Sequence, residues 1–504
     1  MKQTPSSRSM AQPLTAPPAA ASPAAAPADW LDERTGWRGL LRQALEERIP
    51  GGARWAYVFG SGLLFLLLSQ IVTGVFLTFY YVPSADHAHT TVAYITKVVA
   101  DGAFLRSLHA WGASLMVILI VLHVAQIMLY GAYKGKRELL WLSGGGLMAL
   151  VLGMAFTGYL LPWDERAYFA TAVGTNAISE VPGIGNTLKL LLRAGPGMGT
   201  LTLSRFFSLH VFIIPAGLLL FVLLHLLLFR KAGPAGPPSA DPVRPAAKTE
   251  KFYPRQVLMD AGFALLLIAT LTLLATLLPA TLGPRANPAD TRFIPRPEWY
   301  YRPLFQWLKY WEGSRVIIGL LVIPGGLALL FLGLPFFDRR AERRPWRRPF
   351  AVGIFLAVLG GLVKLGVTSY RADARNPVVA AQLARQAQQE RAYMRQPFAP
   401  STSGGAPQPA PAAAAAALNP KQAAAIADGK KIYAAQGCIA CHGDAGSGTA
   451  MAPKLAGIHA KLSPAQLSAL ISQPTPAMSA KGMPPHFNLN TAELKHLVAY
   501  VESL

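Results

Sequence analysis

The 504-residue chain contains two cysteines, and both fall in one run, Cys438-Ile439-Ala440-Cys441-His442. Two thiols three positions apart, followed at once by an imidazole, form the pattern for covalent haem attachment. The thiols add across the vinyl groups and His442 lands on the iron. A redox Cys-x-x-Cys pair would not need the histidine. With both cysteines used, a disulfide scaffold, a cysteine zinc cluster and a cysteine-ligated iron–sulfur centre are excluded within this chain.

Four more histidines stand where histidine is costly, inside long apolar windows: His109 and His123 in one, His210 and His225 in another. Their spacings are 14 and 15 residues. At about 100° per residue these return to nearly the same helix face, about 21–23 Å apart along the axis. Two such helices side by side form two stacked imidazole pairs, each able to hold one haem between helices. Gly60 and Gly74, and Gly144 and Gly158, repeat the 14-residue spacing in two neighbouring windows. A flat macrocycle needs adjacent backbone without a Cβ, although glycine pairs alone also serve helix packing. Arg106 and Arg205, just before the outer ends of the histidine helices, suit haem propionates through charge-assisted bonds, or interfacial anchoring.

These residues need a membrane core to hold them. Apolar residues make up 52% of the chain and charged residues 14%, yet the net charge is +22. That much basic excess on so few charges fits basic loops beside a bilayer and argues against nucleic acid as a partner. Seven windows approach the length that spans hydrocarbon, about 57–81, 107–130, 139–162, 206–229, 257–279, 316–337 and 349–370. Residues 1–29 read as a disordered Ala/Pro/Ser tail. Residues 30–54 suit a surface-lying amphipathic helix. The N-terminal segment and the loops on its side hold 22 Lys and Arg against 12 in the opposite loops, with six arginines between Arg339 and Arg348. That places the N-terminus inside. Seven crossings then put the C-terminus outside, where covalent haem attachment takes place. Residues 371–417 read as an Ala/Pro-rich tether, and 418–504 as a compact soluble unit with Asn490 to Glu493 as a capping box. The expected fold is all-α.

Residues 418–504 resemble a small class I cytochrome c. Gly429 and Tyr433 lie on a first helix, Leu497 and Tyr500 on a last one, where that family crosses its terminal helices. Met483, in Gly-Met-Pro-Pro, matches the family's distal-ligand loop; Met478 and His486 are its rivals, and Met451 stands too close to His442. Arg106-Ser-Leu-His109, Gly158-Tyr-Leu-Leu-Pro-Trp163-Asp164 and Arg205-Phe-Phe-Ser-Leu-His210 resemble cytochrome b of the cytochrome bc complexes. The chloroplast-type branch fits best, because its fourth helix has the longer histidine interval. Residues 251–370, with Pro297-Glu298-Trp299-Tyr300, resemble that branch's subunit IV. The implied organisation is a four-helix di-haem cytochrome b over 30–250, a three-helix quinol-site domain over 251–370, the linker, and the cytochrome c.

The resemblance implies two non-covalent b-type haems, an outer one on His109 and His210 and an inner one on His123 and His225, besides the covalent c-type haem. Where the branch carries a cysteine for an extra haem, Val58 stands here, so no third covalent site is expected in the core. Gln126 replaces a common arginine, and Lys134, Lys136, Arg230 and Lys231 are candidates to take over the inner contacts. Glu298 and Tyr300 would form the catalytic quinol site, with Glu298 accepting a proton. One electron would leave to a separate Rieske iron–sulfur protein and one would cross to quinone at an inner site, with proton translocation. The c haem would accept or relay the high-potential electron toward a soluble or membrane cytochrome c or a terminal oxidase. A homodimeric complex in a bacterial cytoplasmic membrane follows by analogy. A di-haem quinone-linked anchor of a dehydrogenase explains the histidines but not the Pro-Glu-Trp-Tyr loop. A haem sensor or transport scaffold lacks an output domain here.

Overall fold

The computed structural model describes residues 27–195, 197–238, 249–288, 290, 292–400, 420–436, 438, 442–443, 446, 454–460, 462–480, 483 and 489–504. Two short helices, α1 (Pro27–Thr35) and α2 (Trp37–Leu45), precede β1 (Arg48–Pro50), which pairs antiparallel with β2 (Thr249–Lys251) in the Arg48↔Lys251 register. The helical segment thus begins inside the stretch expected to be a tail. The remaining elements of the first unit are α3 (Val58–Thr78), α4 (Ala88–Lys97), α5 (Gly102–Tyr130), α6 (Glu138–Tyr159), α7 (Glu165–Ser179), α8 (Gly185–Arg193), α9 (Thr200–Ser208), α10 (Ile214–Ala232), α11 (Arg255–Leu277), α12 (Arg302–Leu308), α13 (Ile323–Phe337), α14 (Pro349–Arg375) and α15 (Pro377–Arg395). Among the described residues, seven helical spans are long and apolar enough to cross a membrane, as expected.

Local sequence explains their ends. Helix α5 stops at Gly131, whose φ of 59° lets its N–H return to the carbonyls of Ile127 and Met128. The fourth crossing, Thr200–Ala232, contains a π-helical turn at Leu209–Ile213, where the Ile214 N–H reaches back to the Leu209 carbonyl. Pro215 follows and has no N–H to continue the α pattern. A wide turn absorbs one extra residue. The 15-residue interval from His210 to His225 therefore keeps phase with the 14-residue interval on α5. Between these helices lies an apolar core of Leu66, Met116, Leu119, Val151, Leu218, Leu267 and Leu271.

Two segments differ from the sequence expectation. The residues after 371 are helical to Arg395, and α15 folds back onto the outer loops. Tyr393, Met394 and Phe398 pack against Val92, Ala93 and Leu282, and Glu390 pairs with Arg166 at 2.6 Å. Residues 401–419 lie outside the described residues. The run Arg339–Arg348 also does more than mark topology. Arg348, 5% exposed, donates to the carbonyls of Met128 at 2.7 Å and Leu129 at 3.2 Å and to Tyr133 Oη at 2.9 Å. Arg343 donates to Tyr130 O at 3.2 Å. These guanidiniums satisfy the orphan carbonyls at the C-terminal end of α5. Asp338 completes the latch, accepting from Tyr133 Oη at 2.5 Å and Lys134 Nζ at 2.6 Å.

The second unit, Gly404–Leu504, is a separate compact body. Within it α16 (Pro420–Ala435), α17 (Pro464–Ser472), α18 (Pro476–Ala480) and α19 (Thr491–Glu502) are described. Helix α16 lies on α19 where Gly429 meets the His496 carbonyl, and Tyr433 and Tyr500 stack edge-on at 5.3 Å. The Asn490–Glu493 capping box opens α19, with Asn490 Oδ1 accepting from Glu493 N at 2.9 Å and Glu493 Oε2 from Asn490 N at 2.9 Å.

Replacing Arg348 by Ala leaves the Leu129 carbonyl without its donor and removes the guanidinium from the Met128 and Arg343 carbonyls and from Tyr133 Oη, and is expected to cost about 1–3 kcal/mol. The exposed Arg347→Ala control should change stability by about 0.5 kcal/mol or less. Thermal loss of visible absorbance in detergent-solubilised protein checks both; equal midpoints for the two variants would contradict the latch.

Candidate functional site

Each of the four intramembrane histidines meets one of the four spaced glycines. A Cβ on Gly60 would lie 3.6 Å from His123 Cε1, on Gly74 3.2 Å from His109 Cε1, and on Gly144 3.3 Å from His225 Cε1; on Gly158 it would overlap His210 Cε1. The glycines therefore receive the imidazole edges, a closer role than the expected clearance for a macrocycle.

A hydroxyl precedes three of the glycines. Thr73 Oγ1 donates to Ser69 O at 2.7 Å, so its lone pair accepts from His109 Nδ1 at 2.9 Å. Ser143 Oγ, donating to Leu140 O at 2.8 Å, accepts from His225 Nδ1 at 2.9 Å. His210 Nδ1 donates to the Met154 carbonyl at 3.1 Å and lies 3.3 Å from Thr157 Oγ1. With Nδ1 as donor, Nε2 carries the lone pair, the form a metal binds. The pattern Thr73-Gly74, Ser143-Gly144, Thr157-Gly158 was legible in the sequence and was missed. Phe59 precedes Gly60, so His123 lacks this partner.

The rings of His109 and His210 lie 6.2 Å apart, centre to centre, at 76°. That span admits one metal atom between facing nitrogens with bonds of about 2 Å, the length found for imidazole on zinc. The outer pair thus fits an iron held by two histidines, and the inner pair repeats the same glycine contacts. The c unit brings Cys438 against its helix-crossing cluster, with His442 four residues on. Met483 N donates to Met478 O at 3.1 Å. Cys441, Met451 and His486 lie outside the described residues.

His109 and His210 also line a cavity of about 550 Å³, and so do Glu298, Trp299 and Tyr300. The loop after the fifth crossing and the outer histidine pair therefore face one chamber. Trp163 adopts a left-handed φ of 52°, which turns the chain into Asp164. Asp164 caps α7, accepting from Ala167 N at 2.8 Å, and holds the loop by accepting from Gly283 N at 3.1 Å. Tyr159, on the cavity wall, has no partner for its buried hydroxyl among the described residues. Burial, then the charge of Glu298, pushes the Tyr300 phenol well above its usual range. Burial alone would lower Arg166, but Asp164, Tyr159, Glu390 and Glu298 together raise it.

The proposed propionate arginines are already engaged. Arg106 lines the cavity and donates to Ala280 O at 2.9 Å and Thr281 O at 2.7 Å. Arg205 donates to the carbonyls of Leu190 and Leu191 at the end of α8 and is not on the cavity wall. Of the inner candidates, Lys134 is bound to Asp338 and Arg230 to Glu47 at 3.1 Å; Lys136 and Lys231 are exposed. A carboxylate the sequence reading passed over, Asp260, accepts from Gln256 Nε2 at 2.9 Å on α11, the helix that packs on α3 where Phe263 meets Gly62. An acidic residue inside an apolar window was the available signal.

The cytochrome b/b6/petB family profile matches residues 45–233, the cytochrome b C-terminal/b6/petD profile residues 285–387, and the cytochrome c profile residues 426–504. The cytochrome bc complex cytochrome b subunit of Chlorobaculum thiosulfatiphilum is 38% identical over 291 residues, 57% of this chain and 67% of that one. The chain belongs to the cytochrome b family of the bc complexes. The menaquinol:cytochrome c reductase cytochrome b subunit of Geobacillus thermodenitrificans is 41% identical over 217 residues, 42% of this chain and 97% of its own. Among solved structures, a hyperthermophilic respiratory Complex III superimposes with a TM-score of 0.61 at 28% identity, covering 73% of this chain and 96% of that one. This cytochrome b is therefore a fused cytochrome b and subunit IV with a cytochrome c domain, a multi-pass membrane subunit of an oxidoreductase complex.

In this cytochrome b, Gly158→Ala forces the His210 ring to move, at about 1–3 kcal/mol of overpacking. The variant should lose b-haem absorbance, whereas Gly60→Ala, which makes an ordinary contact, should retain it. Difference spectra of the two membranes check this; equal loss would contradict the glycine contacts.

Proposed function

We propose that this subunit oxidises a quinol in the outer chamber, separating its electrons between a Rieske protein on another chain and the transmembrane histidine sites. The observation that carries the reading is the shared chamber, in which His109, His210 and Glu298 face the same 550 Å³ of largely apolar space. Bound between the imidazole pairs, b-type haems would supply one-electron carriers across the membrane, and the covalent c haem one outside it.

The chain's own residues would do the rest. His109 and His210, and His123 and His225, would hold the irons, while Thr73, Ser143 and the Met154 carbonyl hold three of those rings in register. Cys438, Cys441 and His442 would hold the c haem, and Met483 would be its further protein ligand. The apolar walls exclude water, and the Glu298 carboxylate accepts a quinol hydroxyl proton and passes it outward. Tyr300, kept protonated by its surroundings, donates a hydrogen bond to the quinol oxygen. At the other end, Asp260 would supply a proton to a quinone reduced from the inner haem. The result is proton release outside and uptake inside. The basic loops favour an N-terminus in the cytoplasm of a bacterium and the cytochrome c outside, where it hands electrons to a soluble or membrane cytochrome c or an oxidase. The complex is a homodimer that includes the Rieske protein.

Glu298→Gln keeps size and removes the base. It is expected to lower quinol-dependent turnover by about 10²-fold or more with haem content unchanged. Stopped-flow reduction by a quinol checks it; undiminished turnover would remove Glu298 from the reaction.

A further inference from the structure

Three charged side chains close on one another behind the Glu298 turn, outside the cavity wall. Arg296 donates two parallel bonds to Asp373, Nε to Oδ2 at 2.9 Å and Nη2 to Oδ1 at 2.7 Å. Arg302 donates from Nη1 to Oδ2 at 3.1 Å. The side chains are 15%, 11% and 9% exposed for Arg296, Arg302 and Asp373. Arg296 stands two residues before Glu298 and Arg302 four after it, while Asp373 comes from the outer end of α14, more than seventy positions away. The guanidiniums also lie over the rings of Phe305 at 5.2 Å and Tyr370 at 4.0 Å.

The same pairing recurs around the chamber. Arg166, which feels the charge of Glu298, is bound to Glu390 of α15, and Arg106 is spent on the carbonyls of Ala280 and Thr281. Every guanidinium flanking Glu298 in sequence or sharing its cavity thus has another acceptor. A free guanidinium next to a carboxylate favours its ionised form and makes it a poorer proton acceptor.

We propose that Asp373 is a positioning residue for Glu298: by engaging Arg296 and Arg302 together it keeps both from turning onto the Glu298 carboxylate, which stays free for the quinol proton. This rests on the reading of Glu298 as proton acceptor. The other groups around Glu298 are Tyr300 and Tyr301 on its own turn, Tyr159 from α6, Asp164 and Arg166 at the start of α7, Glu390 through Arg166, and Arg106, His109 and His210 across the cavity; Lys309 faces Asp373. None of these except Lys309 changes partner when Asp373 is altered.

The test uses the intact complex with a quinol as donor, haem content measured first, and turnover followed against pH. Asp373→Asn keeps the volume and removes the charge. Its kcat should fall about tenfold or more with little change in KM, and the acid limb of the pH profile should move to lower pH by about one unit. Asp373→Glu should keep the native limb, and adding Arg296→Gln and Arg302→Gln to Asp373→Asn should bring it back. If Asp373→Asn does not assemble, Asp373→Asn with Arg302→Gln leaves Arg296 only the Pro295 carbonyl, 2.8 Å from Nη1, and no carboxylate, and carries the same expectation. A rate lost with the limb unmoved would overturn the proposal and leave Asp373 a fold-holding residue. Glu298→Gln, run in parallel, separates the two claims. If it abolishes the limb while Asp373→Asn leaves it in place, the positioning role alone falls. If it leaves rate and limb untouched, the reading of Glu298 falls first.

Discussion

An imidazole edge resting on backbone that has no Cβ is the contact on which this membrane core depends. It occurs four times, and at Gly74, Gly144 and Gly158 the approach is too close for a Cβ to be added without the imidazole giving way. Histidine in a bilayer must satisfy both ring nitrogens. Here one nitrogen is held by a hydroxyl or carbonyl of the glycine's own helix in three of the four cases, which leaves the other for a metal, and the His109 and His210 rings lie 6.2 Å apart. The 14-residue repeat then becomes a requirement of geometry. The π turn beside His210 is how the fourth crossing meets that requirement with a 15-residue interval.

Charge is handled by the same economy at both ends of the bundle. At one end, Arg343 and Arg348 occupy the carbonyls that end α5, and Asp338 balances them through Tyr133 and Lys134. At the other, the arginines around the Glu298 turn each have a carboxylate or carbonyl of their own. Packing from α14 and α15 therefore fixes the electrostatics of a chamber to which neither helix contributes a wall residue. Helix, loop and chemistry are linked by those few bonds.

Much of this was readable from residue order. Apolar windows and histidine spacing carry local information, since a helix must turn by about 100° per residue whatever surrounds it. The capping box at Asn490 is equally local. Long-range partners are not. The arginines near 343–348 read as topology markers because positive charge on an inner loop looks the same whether solvated or buried. Helix α15 read as tether because its Ala, Gln and Arg content has no strong apolar stripe; it is held by a few side chains such as Glu390 and Tyr393 that find partners hundreds of residues away. Arg205 shows the reverse case, a motif residue whose guanidinium ends on α8 carbonyls and not on the cavity wall.

The central claim is that each pair of glycine-seated imidazoles holds one haem, with the outer pair inside the chamber that Glu298 lines. Pyridine haemochrome quantification of the intact complex, in the native protein and in His109→Ala, tests it most directly. The account predicts two b haems for each covalent c haem in the native protein, and one b haem for each c haem after the substitution. A native ratio of one to one, or a His109→Ala variant that keeps both b haems, would contradict it.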